Sequence, residues 1–187
     1  MPPKEKVSKA QVQETAFEMT REMGFNEVTA RKLAERLGCS TQPIFRAYEN
    51  MDELRTDLFF MSTEYFTDYM FSKKNRNQPS YLSVGMAYIE MALNERHLFE
   101  LIASVNDYGV DALTGIMDRE EMAEFIERLP ETDHLTPMKK QELFMMVWSF
   151  THGLASMVVG GRLRLNNNEI KSMLTKAYEG FVTAESA

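Results

Sequence analysis

Apolar residues recur along the chain at spacings of three and four, the period of amphipathic helices. Ser8 and Gln11 form a capping box, with Val7 and Val12 placed as a hydrophobic staple. Val12, Ala16, Met19, Thr20 and Met23 then follow at helical spacing until Gly24 stops the helix. A second helix opens at the Thr29 cap, presents Leu33, Ala34 and Leu37, and ends at Gly38. A short third helix runs from Ser40 or Thr41 to about Tyr48, with Pro43 in the first turn, where a missing amide costs little. Asn50 and Glu53 cap a long fourth helix ending near Lys74. After the polar break at 75–79, Ser80 caps a fifth helix that carries Met86, Ile89 and Met91. Short helices are expected near 96–105 and 110–128. Thr136 then caps an eighth helix, with Pro137 at its first position, that runs to about Val159. Gly160 and Gly161 break it, and Asn166 to Asn168 with Glu169 open a ninth bearing Ile170, Met173, Leu174, Ala177, Tyr178 and Phe181. No run alternates in the manner of a strand. The spacing predicts an all-α chain of about nine helices.

Residues 29–48 have the form helix, tight glycine turn, helix, a pattern whose second helix can lie in a major groove while the first braces it. Ala34 is small where the helices approach, Gly38 supplies the turn, and Cys39 is a small apolar plug. Ile44, Ala47 and Tyr48 share the face that anchors the second helix. The opposite face presents Thr41, Gln42, Phe45 and Arg46. Arg46 suits guanine, Gln42 adenine, and Thr41 or Pro43 a thymine methyl. The helix starts near Thr29 and Ser40 are candidate phosphate seats, with Lys4, Lys6, Lys9, Arg31 and Lys32 adding positive charge around them.

Charge distribution agrees with such a head. The chain carries a net −7, yet residues 1–48 hold eight Lys/Arg against six Asp/Glu, while 49–187 hold thirteen against twenty-two. Only a basic-leaning head would meet phosphate. The uncharged stretch Leu143 to Gly161 contains Trp148, Ser149, Thr151, His152 and Ser156, too polar for a convincing membrane span, and no apolar run follows the N-terminal lysines. With one cysteine, Cys39, no internal disulfide forms, and a reducing, cytoplasmic setting is expected.

Residues 8–60 resemble the DNA-binding domain of the tetracycline-repressor (TetR) family. The resemblance rests on the capped first helix ending in Gly24-Phe25, on Val28-Thr29, and on LAERLGCSTQPIFRAYENMDEL at 33–54. Ile44, Phe45 and Tyr48 match the family's recognition-helix signature. It implies a three-helix DNA-binding head (1–50), a fourth helix as connector, and a ligand-binding and dimerisation body (51–187). By that resemblance Thr29, Thr41, Gln42, Pro43, Phe45, Arg46 and Tyr48 match positions at the DNA surface or supporting it. MALNERHLFELI (91–102) and WSFTHGLA (148–155) look like segments of some members. Two departures each remove a phosphate contact common in the family: Met51 stands for a lysine and Phe45 for a tyrosine. They predict a shallower salt dependence.

The body is rich in methionine, of which the chain has fifteen. One reading is adaptable core filler. The other is a plastic pocket for an apolar or aromatic effector, with Phe66, Tyr69, Met70, Met86, Met91, Phe99, Met117, Trp148 and His152 as candidate lining, and Phe59, Tyr65 and Tyr88 beside them. The eighth and ninth helices are the dimer candidates, because Ser149, Gly153, Ala155 and Ser156 let a partner helix approach. His97, His134 and His152 lack metal-binding spacing and no catalytic motif is present, so neither enzyme activity, metal nor cofactor is expected. The expectation is an effector-responsive repressor that binds a pseudopalindromic operator as a homodimer. Alternatives are a helical protein-interaction module or a redox-responsive regulator acting through Cys39.

Overall fold

The computed structural model of the protein describes residues 7–73, 79–103 and 120–186, and for Glu120 and Glu121 the backbone alone. These residues form nine α-helices and one short 3-10 turn, with no strand among them. The helices are α1 (Lys9–Met23), α2 (Ala30–Arg36), α3 (Gln42–Ala47), α4 (Met51–Ser72), α5 (Ser80–Asn94), α6 (Arg96–Ala103), α7 (Glu120–Glu127), α8 (Pro137–Val159) and α9 (Asn167–Glu185). Lys4, Lys6 and Met117 lie outside the described residues.

Local chemistry sets the helix ends. Ser8 accepts from the Gln11 amide at 3.2 Å while the Gln11 side chain accepts from the Ser8 amide at 2.9 Å, the reciprocal box read from sequence. Thr29, Thr136 and Asn166 cap α2, α8 and α9 through their side-chain oxygens. Gly24 takes φ +82° at the end of α1, a conformation that L side chains rarely adopt.

Packing divides the described chain into two compact units. The first holds residues up to 65 together with 95–103. Val12, Ala16 and Met19 of α1 are buried with Leu33 of α2, Ile44 of α3, and Leu54 and Leu58 of α4. Helix α6 joins this unit by packing on α1. Arg21 fastens the junction with a two-pronged grip on Glu95, at 3.0 and 2.5 Å, which holds the guanidinium pKa above its ordinary range.

The second unit comprises residues 66–94 and 120–186. Helix α5 is buried on nearly every side, ten of its fifteen residues being inaccessible, as expected of an element apolar all round. It packs on both α8 and α9. At Gly85 an added Cβ would lie 3.2 Å from the Leu174 side chain, so this glycine lets α5 and α9 close on each other. Tyr81 and Tyr178 stack with centroids 3.7 Å apart, and the Tyr178 hydroxyl donates to the Pro130 carbonyl at 2.7 Å. By length and composition α8 would pass for a membrane span, with a mean hydropathy of 1.3. Its contacts with α5, α7 and α9 nevertheless place it in the body, where only 28% of that window is buried within the chain.

Candidate nucleic-acid interface and body cavity

Between α2 and α3 the chain reverses tightly. Gly38 takes φ +63°, and the Cys39 amide donates back to the Ala34 carbonyl at 3.0 Å. Cys39 is half-buried at this corner. Helix α3 then sorts its residues by face. Ile44 and Tyr48 are 1% and 2% exposed, with Ala47 half-buried beside them. Thr41, Gln42, Phe45 and Arg46 are exposed together, Phe45 to 51%, while Pro43 is half-buried. The Phe45 ring is thus only half covered by the protein itself.

The flanking candidates differ in what already engages them. Thr29 is exposed but accepts from the Lys32 amide as a cap, whereas the Thr41 hydroxyl makes no cap bond. Ser40 is exposed. Lys32 pairs with Glu27 at 2.8 Å and Arg36 with Glu22 at 2.6 Å, which holds both carboxyls below their usual range. Lys9 lies 3.3 Å from Asp57. Among the described residues Arg31 and Arg46 enter no ion pair, so they are the head's uncommitted cations. Tyr48 is a support and not a surface residue, since its ring is buried and its hydroxyl donates to Asp57. Burial first, and the hydrogen bond to Asp57 second, push that phenol's pKa up.

The second unit contains a cavity of about 40 Å³. Of the residues expected to line a pocket, Met70 and Trp148 do, and Tyr88 with them. Phe66 meets the Tyr88 ring edge-on at 5.9 Å, and His152 Nδ1 lies 2.8 Å from the Tyr88 hydroxyl while its ring stacks on Trp148. The other expected residues lie elsewhere. Phe99 belongs to the first unit, where the apolar face of α6 is buried, and Phe59 and Tyr65 belong there too. Met86 lines a separate hollow with Glu90 and Asn167, Met91 is packed in the core, and Tyr69 carries the Lys73 ammonium 5.0 Å above its ring. Among the described residues the lining comes chiefly from two stripes, Tyr81, Val84, Gly85 and Tyr88 on α5 and Phe144, Val147, Trp148 and Thr151 on α8, joined by Phe125 of α7. Each stripe repeats at i, i+3, i+4 and i+7, a spacing legible in the sequence that names one face of each helix.

Among the described residues no three His, Cys, Asp or Glu side chains gather as metal ligands. His97 lies 3.4 Å from Glu100, and His134 bonds Ser186 at 2.8 Å.

Residues 81–181 match the family described as "Tetracyclin repressor-like, C-terminal domain". Solved structures share the fold over nearly the whole chain. A TetR-like transcriptional regulator from Rhodococcus sp. RHA1 has 14% identity and a TM-score of 0.64, covering 94% of this chain and 95% of its own. A TetR variant from Acinetobacter baumannii AYE, solved in complex with minocycline, has 17% identity and a TM-score of 0.68, covering 97% and 96%. A protein of unknown function from Rhodococcus sp. RHA1 has 17% identity and a TM-score of 0.69, covering 98% of each chain. At these identities the likeness is one of fold. No curated protein matches the sequence.

Proposed function

Because the chain belongs to the tetracycline-repressor family of transcriptional regulators, we propose that it binds operator DNA as a homodimer and acts as an effector-responsive repressor. In this reading residues 1–50 form the DNA-binding head and 51–187 the effector-binding and dimerisation body. One observation carries it: Thr41, Gln42, Phe45 and Arg46 are exposed as a group on α3, while Ile44 and Tyr48 root that helix in the core. A short rigid helix with its polar face outward is the shape that enters a major groove.

Arg46, unpaired among the described residues, donates to guanine, and Gln42 pairs with adenine. Phe45 packs its ring on a thymine methyl or a sugar. Thr29, Ser40 and Arg31, with Lys6 and Lys9, contact phosphate. Two heads joined through their bodies read half-sites about 34–36 Å apart. Dimerisation through α8 and α9 is supported by the apolar surface that α8 leaves uncovered, with Met157 45% exposed. Occupancy of a promoter represses without further contacts, and an effector in the body favours a state with lower DNA affinity.

The test is selection of bound fragments from the source genome, followed by Arg46→Ala on the selected site. The substitution weakens specific binding by about 1–3 kcal/mol and leaves non-specific binding nearly intact. Equal losses on both would refute base reading by this side chain.

A further inference from the structure

We propose that the hollow between the end of α5 and the start of α9 binds a small protonated amine with an apolar body. The site is separate from the cavity lined by Trp148 and does not depend on operator binding. The two lie on nearly opposite faces of α5. Tyr81, Val84, Gly85 and Tyr88 line the cavity, whereas Met86, Ile89, Glu90, Leu93 and Asn94 line the hollow, again at spacings of three and four. Asn167 and Ile170, at the start of α9, form its other side. All these residues belong to the second unit.

Size and apolar lining set the body of the guest. The hollow has a volume of about 190 Å³, against roughly 150 Å³ for a cavity that admits benzene. Of its apolar residues Ile89 and Ile170 are buried, Met86 is half-buried and Leu93 is 49% exposed. A guest that covers Leu93 removes from water an apolar side chain that the described chain leaves open. Met86 is unbranched and adapts to the shape it meets.

Charge sets the head of the guest. Among the described residues Glu90 is the one ionised group lining the hollow; it is exposed and enters no ion pair. The side chains of Asn94 and Asn167 make no hydrogen bond among the described residues either, and each can turn a carbonyl oxygen toward a donor. An ammonium brings only N–H donors and a positive charge, and it meets a carboxylate and two carboxamides. The helix ends agree with this sign. Asn94 closes α5, whose last carbonyls carry partial negative charge. The start of α9 is already compensated, since Glu169 accepts from the Asn166 amide at 2.8 Å and Asn166 Oδ1 accepts from the Asn168 and Glu169 amides. A carboxylate guest would face Glu90 with no cation in the described lining. An exposed ion pair contributes little, so the apolar lining supplies most of the affinity and Glu90 the selectivity.

The test uses the isotope-labelled full chain without DNA at pH 7, with three probes of one shape: benzylamine, benzyl alcohol and benzoate. Backbone amide shifts of 86–94 and 167–170 report binding. Benzylamine should bind about three- to fivefold more tightly than the alcohol, the worth of one exposed ion pair. Benzoate should bind weakest, and added salt should narrow the gap. Glu90→Gln keeps the shape of the side chain and should bring the amine to the level of the alcohol without moving the alcohol. Leu93→Ala should weaken amine and alcohol alike. Equal affinity for amine and alcohol, preference for benzoate, or an amine preference that survives Glu90→Gln overturns the inference. So does the lack of a saturable shift at these residues with every probe. Shifts that appear only on dilution to monomer would give the hollow to a second copy of the chain, and overturn it as well.

Discussion

The Tyr48 hydroxyl donates to Asp57 at 3.0 Å, tying the end of α3 to α4. The same carboxylate lies 3.3 Å from the Lys9 ammonium, which sits 4.4 Å over the Tyr48 ring. Lys9 is thus held by the protein's own charge at the edge of the proposed DNA surface. Asp57→Asn keeps an acceptor for Tyr48 while removing the nearer of the two carboxylates that engage Lys9, the other being Glu53 at 3.9 Å. The expected outcome is a log–log salt slope for operator binding steeper by up to about 0.9, the increment of one added phosphate contact. Lys9→Ala in the Asp57→Asn background restores the original slope. An unchanged slope in the single variant would mean that Lys9 does not reach phosphate.

Two glycines separate backbone strain from crowding. Gly38 sits at φ +63° with no atom within 4 Å of an added Cβ, so Gly38→Ala costs only the left-handed penalty, about 1–2 kcal/mol. Gly24 sits at φ +82°, and its Cβ would come within 3.3 Å of the His97 ring, so Gly24→Ala adds a displacement at the α1–α6 junction. Urea unfolding should rank Gly24→Ala below Gly38→Ala. Gly38→Asn should recover part of the loss, since asparagine tolerates this region.

The head was legible because its signals are local. The Ser8–Gln11 box, the Thr29 cap, the Gly38 turn and the Ile44–Tyr48 anchor each need only a few neighbouring residues, and the structure forms every one. The body was legible as helices but only partly as a cavity. Periodicity gives the face of a helix and not the element it meets. Phe99 and Trp148 look equally suited to a pocket in sequence, yet α6 turns its apolar face into the first unit and α8 turns Trp148 toward the cavity. Met86 and Met91 lie on one helix and separate into a surface hollow and the core, a difference set by where α8 and α9 cross α5.

Gly153 offers a direct test of the dimer. It lies on α8 among Ser149 and Ser156, half-buried, and an added Cβ there would meet nothing within 4 Å in its own chain. Gly153→Phe should leave the protomer folded, because the side chain enters open space. If α8 is the seam of the dimer, the same ring stands where the partner helix approaches. Sedimentation at micromolar concentration should then show a shift from dimer toward monomer with unchanged helical circular dichroism. A dimer of wild-type stability would move the seam off this face.

His152 makes the stability of the body pH-dependent, with a sign that follows from its surroundings. Its ring is stacked on Trp148 and bonded to the Tyr88 hydroxyl, and burial lowers its pKa from the ordinary value of 6.5. The unfolded chain therefore binds the proton more readily than the folded one. Above pH 6.5 both states are neutral at this position and its contribution to stability is fully present. As pH falls through 6.5 the unfolded state charges first, and the contribution declines until the folded-state pKa is passed. Glu100 and the other depressed carboxyls add losses in the same direction, but only at lower pH, around and below the carboxylate range. Thermal melts at pH 7.5, 6.5 and 5.5 should therefore show the wild-type Tm falling before the carboxylates titrate. His152→Gln, which cannot take a proton, should melt lower at pH 7.5 yet lose less between pH 7.5 and 5.5. Parallel pH profiles for the two proteins would show that His152 is solvated in the folded state and that the Tyr88 pairing does not govern its charge.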